Sequence, residues 1–189
     1  TDWWNAVIRS SAPIYNANIS YTGGSNRSTY AATLGYYRQE AQARAGHWER
    51  VNARFNGDFQ ATDWLKFGVV FAPRMESWKN YAVTDFLGLL GTDPTTAVRR
   101  DNLDHIPADQ RGQYDLEWSG WGYPYARPSN NPVNYFLSMQ RSQLARNMVY
   151  GIQSNAYLEI KPYKGLTFTS KVGGNVDNTT NQNFSPKYY

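Results

Sequence analysis

Apolar and polar side chains alternate with a period of two in several segments of this sequence. The clearest example lies between residues 50 and 59. Its apolar positions are Val51, Ala53, Phe55, Gly57 and Phe59, and its polar positions are Arg50, Asn52, Arg54, Asn56 and Asp58. Because successive side chains of a β-strand point to opposite faces, the pattern predicts a strand with one apolar face and one polar face.

The same alternation recurs five more times, so we predict an all-β chain of six strands. The six patterned segments cover residues 15–22, 30–37, 50–59, 64–71, 150–161 and 166–177. Each is expected to form a strand of about ten residues, the length that a tilted membrane-spanning strand needs. Residues of turn-forming composition separate them at 23–26, 61–63 and 162–165.

Two architectures explain such strands. In a β-sandwich the apolar face packs on a second sheet, whereas in an outer-membrane barrel it faces lipid and the polar face lines the lumen. Connection lengths favour the barrel, because short turns alternate with one very long excursion. We therefore expect barrel strands with short turns over 1–76, one long extracellular loop over 77–145, and a barrel hairpin with the start of the next loop over 146–189. Short helices are expected within the loop at Asp85–Leu90 and Pro94–Arg100.

The aromatic composition is compatible with a membrane barrel and equally with a Tyr-rich soluble β-sandwich, whereas the absence of Cys and the spread of charge exclude some kinds of site and partner. The 15 Tyr and 7 Trp suit rings that lie at a membrane–water boundary. There is no Cys, which excludes disulfides and thiolate sites. The net charge of +4 is spread along the chain without a basic run, which disfavours nucleic acid as a partner.

Several motifs, in order, resemble the SusC/RagA family of TonB-dependent outer-membrane receptors from Bacteroidetes. The resemblance covers Thr1 to Phe71 and Ala145 to Val176, and the loop between them matches no family motif. The motifs are the opening Thr1-Asp2-Trp3-Trp4 with Arg9-Ser10-Ser11-Ala12-Pro13, then Ser20-Tyr21-Thr22-Gly23-Gly24-Ser25, Arg50-Val51-Asn52-Ala53-Arg54-Phe55-Asn56, Trp64-Leu65-Lys66-Phe67-Gly68, Asn155-Ala156-Tyr157-Leu158-Glu159 and Lys164-Gly165-Leu166-Thr167-Phe168.

This resemblance implies a segment of a large, 22-stranded antiparallel transmembrane barrel in the bacterial outer membrane. Members of the family contain an N-terminal plug, pair with a SusD-like surface lipoprotein, and import glycan or peptide fragments with energy delivered by TonB. The plug and the TonB-contacting segment are expected to lie outside this sequence. A passive porin or adhesin barrel and a soluble glycan-binding β-sandwich stay open as alternatives.

The residues show no catalytic constellation, metal motif or cofactor fingerprint, so we expect a protein that is not an enzyme. The two histidines, His47 and His105, stand in no metal-binding spacing. Five loop residues are candidates for substrate or partner contact: Trp118, Trp121, Tyr123, Tyr125 and Arg127. Packing of these rings within the loop itself is the alternative. The five polar residues at 50–58 are expected to face the lumen, where contact with the plug is the simplest role.

Overall fold

A computed structural model describes residues 1–79, 89–92, 94–95, 97, 107–110, 138–139 and 144–184. Six antiparallel strands form one sheet in the order of the sequence. A short helix, α1 (Trp3–Val7), precedes them. The strands are β1 (Ile14–Ser25), β2 (Ser28–Glu40), β3 (His47–Thr62), β4 (Leu65–Lys79), β5 (Arg146–Tyr163) and β6 (Leu166–Gln182).

The register of the strands assembles the alternation into two continuous faces. Residues that pair across neighbouring strands form a row, and all side chains of one row lie on the same side of the sheet. One row consists of Ile19, Leu34, Ala53, Ile152 and Val176, with Pro73 of β4 opposite Ile152. We call this side the apolar face. The opposite side, which carries Arg50 to Asp58 at the even positions of β3, is the polar face.

Connections between the strands are short at one end of the sheet and longer at the other. The three short turns contain two residues each, at Asn26–Arg27, Asp63–Trp64 and Lys164–Gly165. The other two connections are residues 41–46 and residues 80–145. Despite the length of the second one, β4 and β5 pair directly. By the rule for outer-membrane barrels, we expect the end with short turns to be periplasmic and the other end to be extracellular, and we name the two ends accordingly.

The first turn differs from the sequence prediction. Residues 23–26 were expected to form it, but Gly23 and Gly24 belong to β1. A Cβ at Gly23 would lie 2.6 Å from the ring of Tyr30, its partner on β2, so this glycine makes room for a cross-strand aromatic ring. Glycine therefore indicates close packing here, whereas Gly165, with φ +86°, does serve a turn.

The strands also exceed the expected ten residues, with 16 in β3 and 18 in β5. The prediction followed the apolar positions, which end where the apolar face ends. The hydrogen-bond ladder continues into charged positions such as Arg38, Glu40 and Glu49 near the extracellular end. Strand pairing needs only backbone groups, so hydrophobicity underestimates its extent.

Burial separates the sheet from the small cluster beside it. On the apolar face, side chains such as Ile19 and Val172 are 73% and 71% exposed. The buried apolar residues of the described part of the chain all lie outside the strands: Trp3, Val7, Ile8, Ala43, Ala45, Leu89 and Met139. Within the described residues, no second sheet covers the apolar face.

The buried cluster joins the N-terminal segment to the extracellular connections. Asp2 caps α1 by accepting a hydrogen bond from the backbone N–H of Asn5 at 2.9 Å. This hydrogen bond lowers the pKa of the Asp2 carboxyl below its usual value. After the helix, Ile8 pairs with Ala43 in an isolated antiparallel bridge. The helix was not predicted from the sequence, where the Asp2 cap was its only signal.

Most of the expected long loop lies outside the described residues, and its assignment over 77–145 stays a prediction. β4 extends to Lys79, and β5 begins at Arg146. Of the two helices expected in the loop, the described part shows only Leu89 and Leu90 in a helix. None of the described helical segments has the length and hydropathy required to cross a bilayer.

Candidate functional site on the polar face

The five polar residues predicted to act together lie on one face of β3. Their neighbours on β2 are Tyr37, Gly35, Thr33, Ala31 and Thr29 in the same order, so no large apolar residue other than Tyr37 interrupts the surface. Tyr37 packs edge-on against Trp48 with ring centroids 5.2 Å apart. The polar face thus contains an aromatic pair at its extracellular end and a line of hydrogen-bonding groups below it.

Arg50 and Arg54 are the cations of β3 on this face. The guanidinium of Arg50 lies 5.4 Å from the ring centroid of Trp48, a cation–π distance. Its Nε is buried and has no hydrogen-bond partner among the described residues. Arg54 donates from Nε to the Oδ1 of Asn56 at 2.9 Å. Neither arginine has a carboxylate within ion-pair distance in the described part of the chain, so both can receive an anionic group from outside the wall.

Three glycines allow side chains of alternate strands to meet above the polar face. Arg74 of β4 and Asp177 of β6 form an ion pair with Nη2 and Oδ1 2.9 Å apart. Between them lies Gly151 of β5, where a Cβ would come within 2.9 Å of the Arg74 Nε. Gly35 of β2 has the same position between Asn18 and Asn52, whose amide oxygens would lie 2.8 Å and 3.0 Å from such a Cβ.

The third glycine, Gly68 of β4, lies under a polar cluster. The Tyr157 hydroxyl donates a hydrogen bond to the carboxylate of Asp58 across it. The Nζ of Lys66 lies 5.7 Å from the centroid of the Tyr157 ring. A Cβ at Gly68 would lie 2.8 Å from both Asp58 Oδ1 and Tyr157 Cζ. The absence of a side chain at Gly68 is thus required for this hydrogen bond.

A depression of about 520 Å³ adjoins this cluster. It is lined by two neighbouring rows of the polar face and by the residues between them: Asn56, Asp58, Gly68, Val70, Asn155, Tyr157, Lys171 and Gly173 with Gly57, Val69, Ala156 and Val172. Hydrogen-bonding groups of both charge signs therefore surround a concave region of the wall.

Sequence reasoning identified the five residues of β3 but missed their partners. Arg74, Tyr157 and Asp177 lie on other strands, and only the register brings them to the same surface. A usable signal was nevertheless present. Gly68 occupies a polar position of the alternation, as Gly35 and Gly151 do, where a side chain would otherwise stand. Such a glycine indicates that neighbouring side chains bridge over it.

The candidate contact residues of the loop, Trp118 to Arg127, lie outside the described residues, and their role stays a prediction. The described residues contain no group of three His, Cys, Asp or Glu side chains placed to hold a metal ion. Among the described residues, the polar face is therefore the candidate functional surface.

Comparison with known proteins supplies the context for this surface. No family model matches the chain. It is 25% identical over 185 residues to the TonB-dependent receptor P26 of Formosa agariphila, covering 97% of this chain and 17% of that receptor. Among solved structures, the RagAB peptide transporter superposes with a TM-score of 0.63 at 23% identity, covering 94% of this chain and 19% of that one. The RagAB peptide importer in its open-open state gives the same TM-score at 24% identity.

The chain thus spans less than a fifth of the length of these relatives. Together with the single antiparallel sheet, the likeness confirms the prediction of an all-β segment of a transmembrane barrel. The number of strands in the complete barrel stays a prediction.

Proposed function

We propose, from the premise that this chain is a SusC/RagA-like segment of a receptor barrel in the bacterial outer membrane, that the whole protein is a TonB-dependent importer. The observation that supports this most directly is the two-faced sheet. Its apolar face is exposed along the strands, as contact with lipid requires, and its polar face carries the hydrogen-bonding groups of a wet or plugged lumen. The chain contributes part of the wall.

Plug contact is the role we propose for Arg50, Asn52, Arg54, Asn56 and Asp58. Arg50 and Arg54 have no carboxylate partner among the described residues, and a plug side chain can supply one. A plug in the lumen would also cover the depression beside Asp58 and Tyr157. The plug and the segment that contacts TonB are proposed to lie in the part of the receptor beyond this sequence.

The proposed substrates are oligopeptides or oligosaccharides, delivered by a SusD-like surface lipoprotein. Oligopeptides are our first candidate, a choice supported by the description of the solved relative as a peptide transporter. Oligosaccharides remain the second candidate because Trp118, Trp121, Tyr123 and Tyr125 provide rings that can stack on sugars. These residues and Arg127 are proposed to contact the substrate or the lipoprotein. Catalysis forms no part of the proposal, since the similar proteins are a receptor and transporters.

Uptake by cells that express the complete receptor tests this proposal. Fluorescent oligopeptides and oligosaccharides are offered to cells with and without TonB. We expect uptake of one class, lost when TonB is deleted or when the proton gradient is dissipated. Uptake that persists without TonB would favour a passive porin. Uptake of neither class would refute import of these substrates.

The loop proposal has its own test. Trp121→Ala should reduce uptake of the accepted substrate, because an aromatic contact in a binding surface contributes about 1–3 kcal/mol. Trp64→Ala is the matched control, since Trp64 lies in a two-residue turn at the opposite end of the sheet. Equal uptake by the two variants would contradict a contact role for Trp121.

A further inference from the structure

We propose that the apolar face holds, just below its extracellular end, a binding site for a hydroxylated acyl chain of an outer-leaflet lipid, formed around the backbone carbonyl of Ala53. The hydroxyl group of such a chain donates the hydrogen bond that Pro73 cannot supply. The inference rests on the contact of the apolar face with lipid and goes beyond the proposed import activity.

Pro73 lies within β4, an interior strand that pairs with both β3 and β5. Proline has no backbone N–H, so within sheets it is normally restricted to edge strands and bulges. Pairing with β5 continues through Pro73, which lies opposite Ile152. Pairing with β3 stops for residues 53 and 54 and resumes at Phe55. The missing N–H therefore faces β3.

This interruption leaves the carbonyl of Ala53 without its cross-strand donor. The register is the same on both sides of the gap, so Ala53 still lies opposite Pro73 and no bulge moves it away. In an antiparallel ladder, a hydrogen-bonded pair of residues exchanges both N–H···O bonds, and proline can supply only the acceptor of its pair. The neighbouring side chains of β3 and β4 on the apolar face, Val51, Phe55 and Phe71, contain no hydrogen-bond donor.

An unpaired carbonyl is costly in the hydrocarbon part of a bilayer, because no water is present to donate to it. The nearest cation in the described part of β3, Arg54, lies on the polar face and donates from Nε to Asn56 at 2.9 Å. The donor for Ala53 therefore has to come from outside the sheet. On the apolar face, which lipid covers, a hydroxyl group on an acyl chain has the required chemistry.

A depression of about 390 Å³ on the apolar face adjoins this carbonyl. Its lining includes the short side chains of Ala32 and Ala53 beside Pro73. Larger apolar side chains such as Ile19 and Leu34 border it on the neighbouring strands. An acyl chain can lie in this depression with apolar contacts along its length, while its hydroxyl group reaches the backbone where the side chains are shortest.

The depth of Ala53 in the membrane fits a hydroxyl group near the start of an acyl chain. Val51, two residues above Ala53 on β3, lies in the row of Tyr36 and Tyr150, where an aromatic girdle is expected at the membrane boundary. Two residues span about 7 Å along a strand, which a tilt of about 40° reduces to about 5 Å. The hydroxyl group of a 3-hydroxyacyl chain lies at a comparable depth below its headgroup.

Native mass spectrometry of the complete receptor in detergent tests the proposal by comparing two lipids. The probes are lysophosphatidylethanolamine with a 3-hydroxymyristoyl chain and the same lipid with an unsubstituted myristoyl chain. A hydrogen bond of about 1 kcal/mol corresponds to about fivefold tighter binding of the hydroxylated lipid. Equal affinities for the two lipids would overturn the proposal.

Pro73→Val restores the N–H and keeps an apolar side chain at this position. The restored N–H occupies the carbonyl of Ala53, so this variant should bind the two lipids alike. Ile152→Val is the matched control, because it changes an apolar side chain of the same row without adding a donor. The control should keep the fivefold preference. A preference that survives in Pro73→Val, or that disappears in Ile152→Val, would contradict the site.

A third variant keeps the proposal testable should Pro73→Val fail to fold. Ala53→Leu fills the depression and should weaken binding of the hydroxylated lipid about fivefold or more. Unchanged binding by this variant would refute the location of the site. The lipid comparison needs no transport, so a receptor that imports none of the proposed substrates still gives the same answer, and the two proposals fail independently.

Discussion

Replacing Gly68 with alanine should destabilise the receptor, because two side chains of neighbouring strands meet above this glycine. The added Cβ would lie 2.8 Å from Asp58 Oδ1 and 2.8 Å from Tyr157 Cζ. The tyrosine ring is rigid and is hydrogen bonded to Asp58, so it cannot rotate away without losing that bond. The substitution therefore both crowds the added methyl group against β5 and disrupts the Asp58–Tyr157 hydrogen bond.

The expected cost combines two effects. Adding a methyl group to a tightly packed place typically costs about 1–3 kcal/mol. Loss of a hydrogen bond to a charged acceptor adds about 1 kcal/mol, less than is usual for a buried charged group because both side chains are only half-buried. We expect the free energy of unfolding to fall by about 2–4 kcal/mol.

Urea unfolding of the complete receptor in lipid vesicles, followed by the mobility of unheated samples on gels, measures this change. Gly174→Ala is the matched control, since a Cβ at Gly174 of β6 would meet nothing within 4 Å. A second variant, Gly68→Ala with Tyr157→Ser, removes the ring. Compared with Tyr157→Ser alone, the added methyl group should then lower the free energy of unfolding by less than about 1 kcal/mol. Equal stability of Gly68→Ala and Gly174→Ala would show that the space above Gly68 is not needed by Asp58 and Tyr157.

Two further substitutions test the face assignment and the buried cluster. Ile152→Arg places a charge on the apolar face and should lower the free energy of unfolding in lipid vesicles by about 2–4 kcal/mol. Gln153→Arg places the same charge on the polar face and should change it little. Urea unfolding in vesicles measures both variants. Because the Trp3 side chain is only 3% exposed, Trp3→Ala should lower the free energy of local opening of the N-terminal segment by about 3 kcal/mol. Hydrogen exchange of residues 1–13 measures this change. Trp4→Ala, at 37% exposure, is its control; similar exchange in both variants would contradict a buried role for Trp3.

Much of the fold was predictable because the alternation is a local property of the chain. Each strand contains enough alternating residues to define its two faces, and the connection lengths distinguish the two ends of the sheet. The exact turns were less predictable. Gly23 and Gly24 resemble turn residues in composition, but their lack of side chains serves packing against Tyr30 and the neighbouring strand. Composition alone does not separate these two uses of glycine.

The candidate site was predictable only in part, because it depends on register. The even positions of β3 identify the polar face directly. The Arg74–Asp177 ion pair joins residues more than a hundred positions apart in the sequence, across a strand that contributes only Gly151. Helix α1 was missed for a different reason: its five residues are too few for a periodic pattern, and its stability comes from packing on Ala43 and Ala45.

We infer that the two faces of this sheet meet different environments, lipid on one side and the lumen on the other. Spin-label accessibility along β3 measures this directly. This segment contains no Cys, so in a receptor whose other cysteines, if any, are replaced, single cysteines can be placed at 52, 53, 54 and 55 and studied in lipid vesicles. We predict that oxygen, which concentrates in the bilayer, relaxes labels at 53 and 55 more strongly than labels at 52 and 54. Equal oxygen accessibility at all four positions, or the opposite alternation, would contradict this assignment of the two faces.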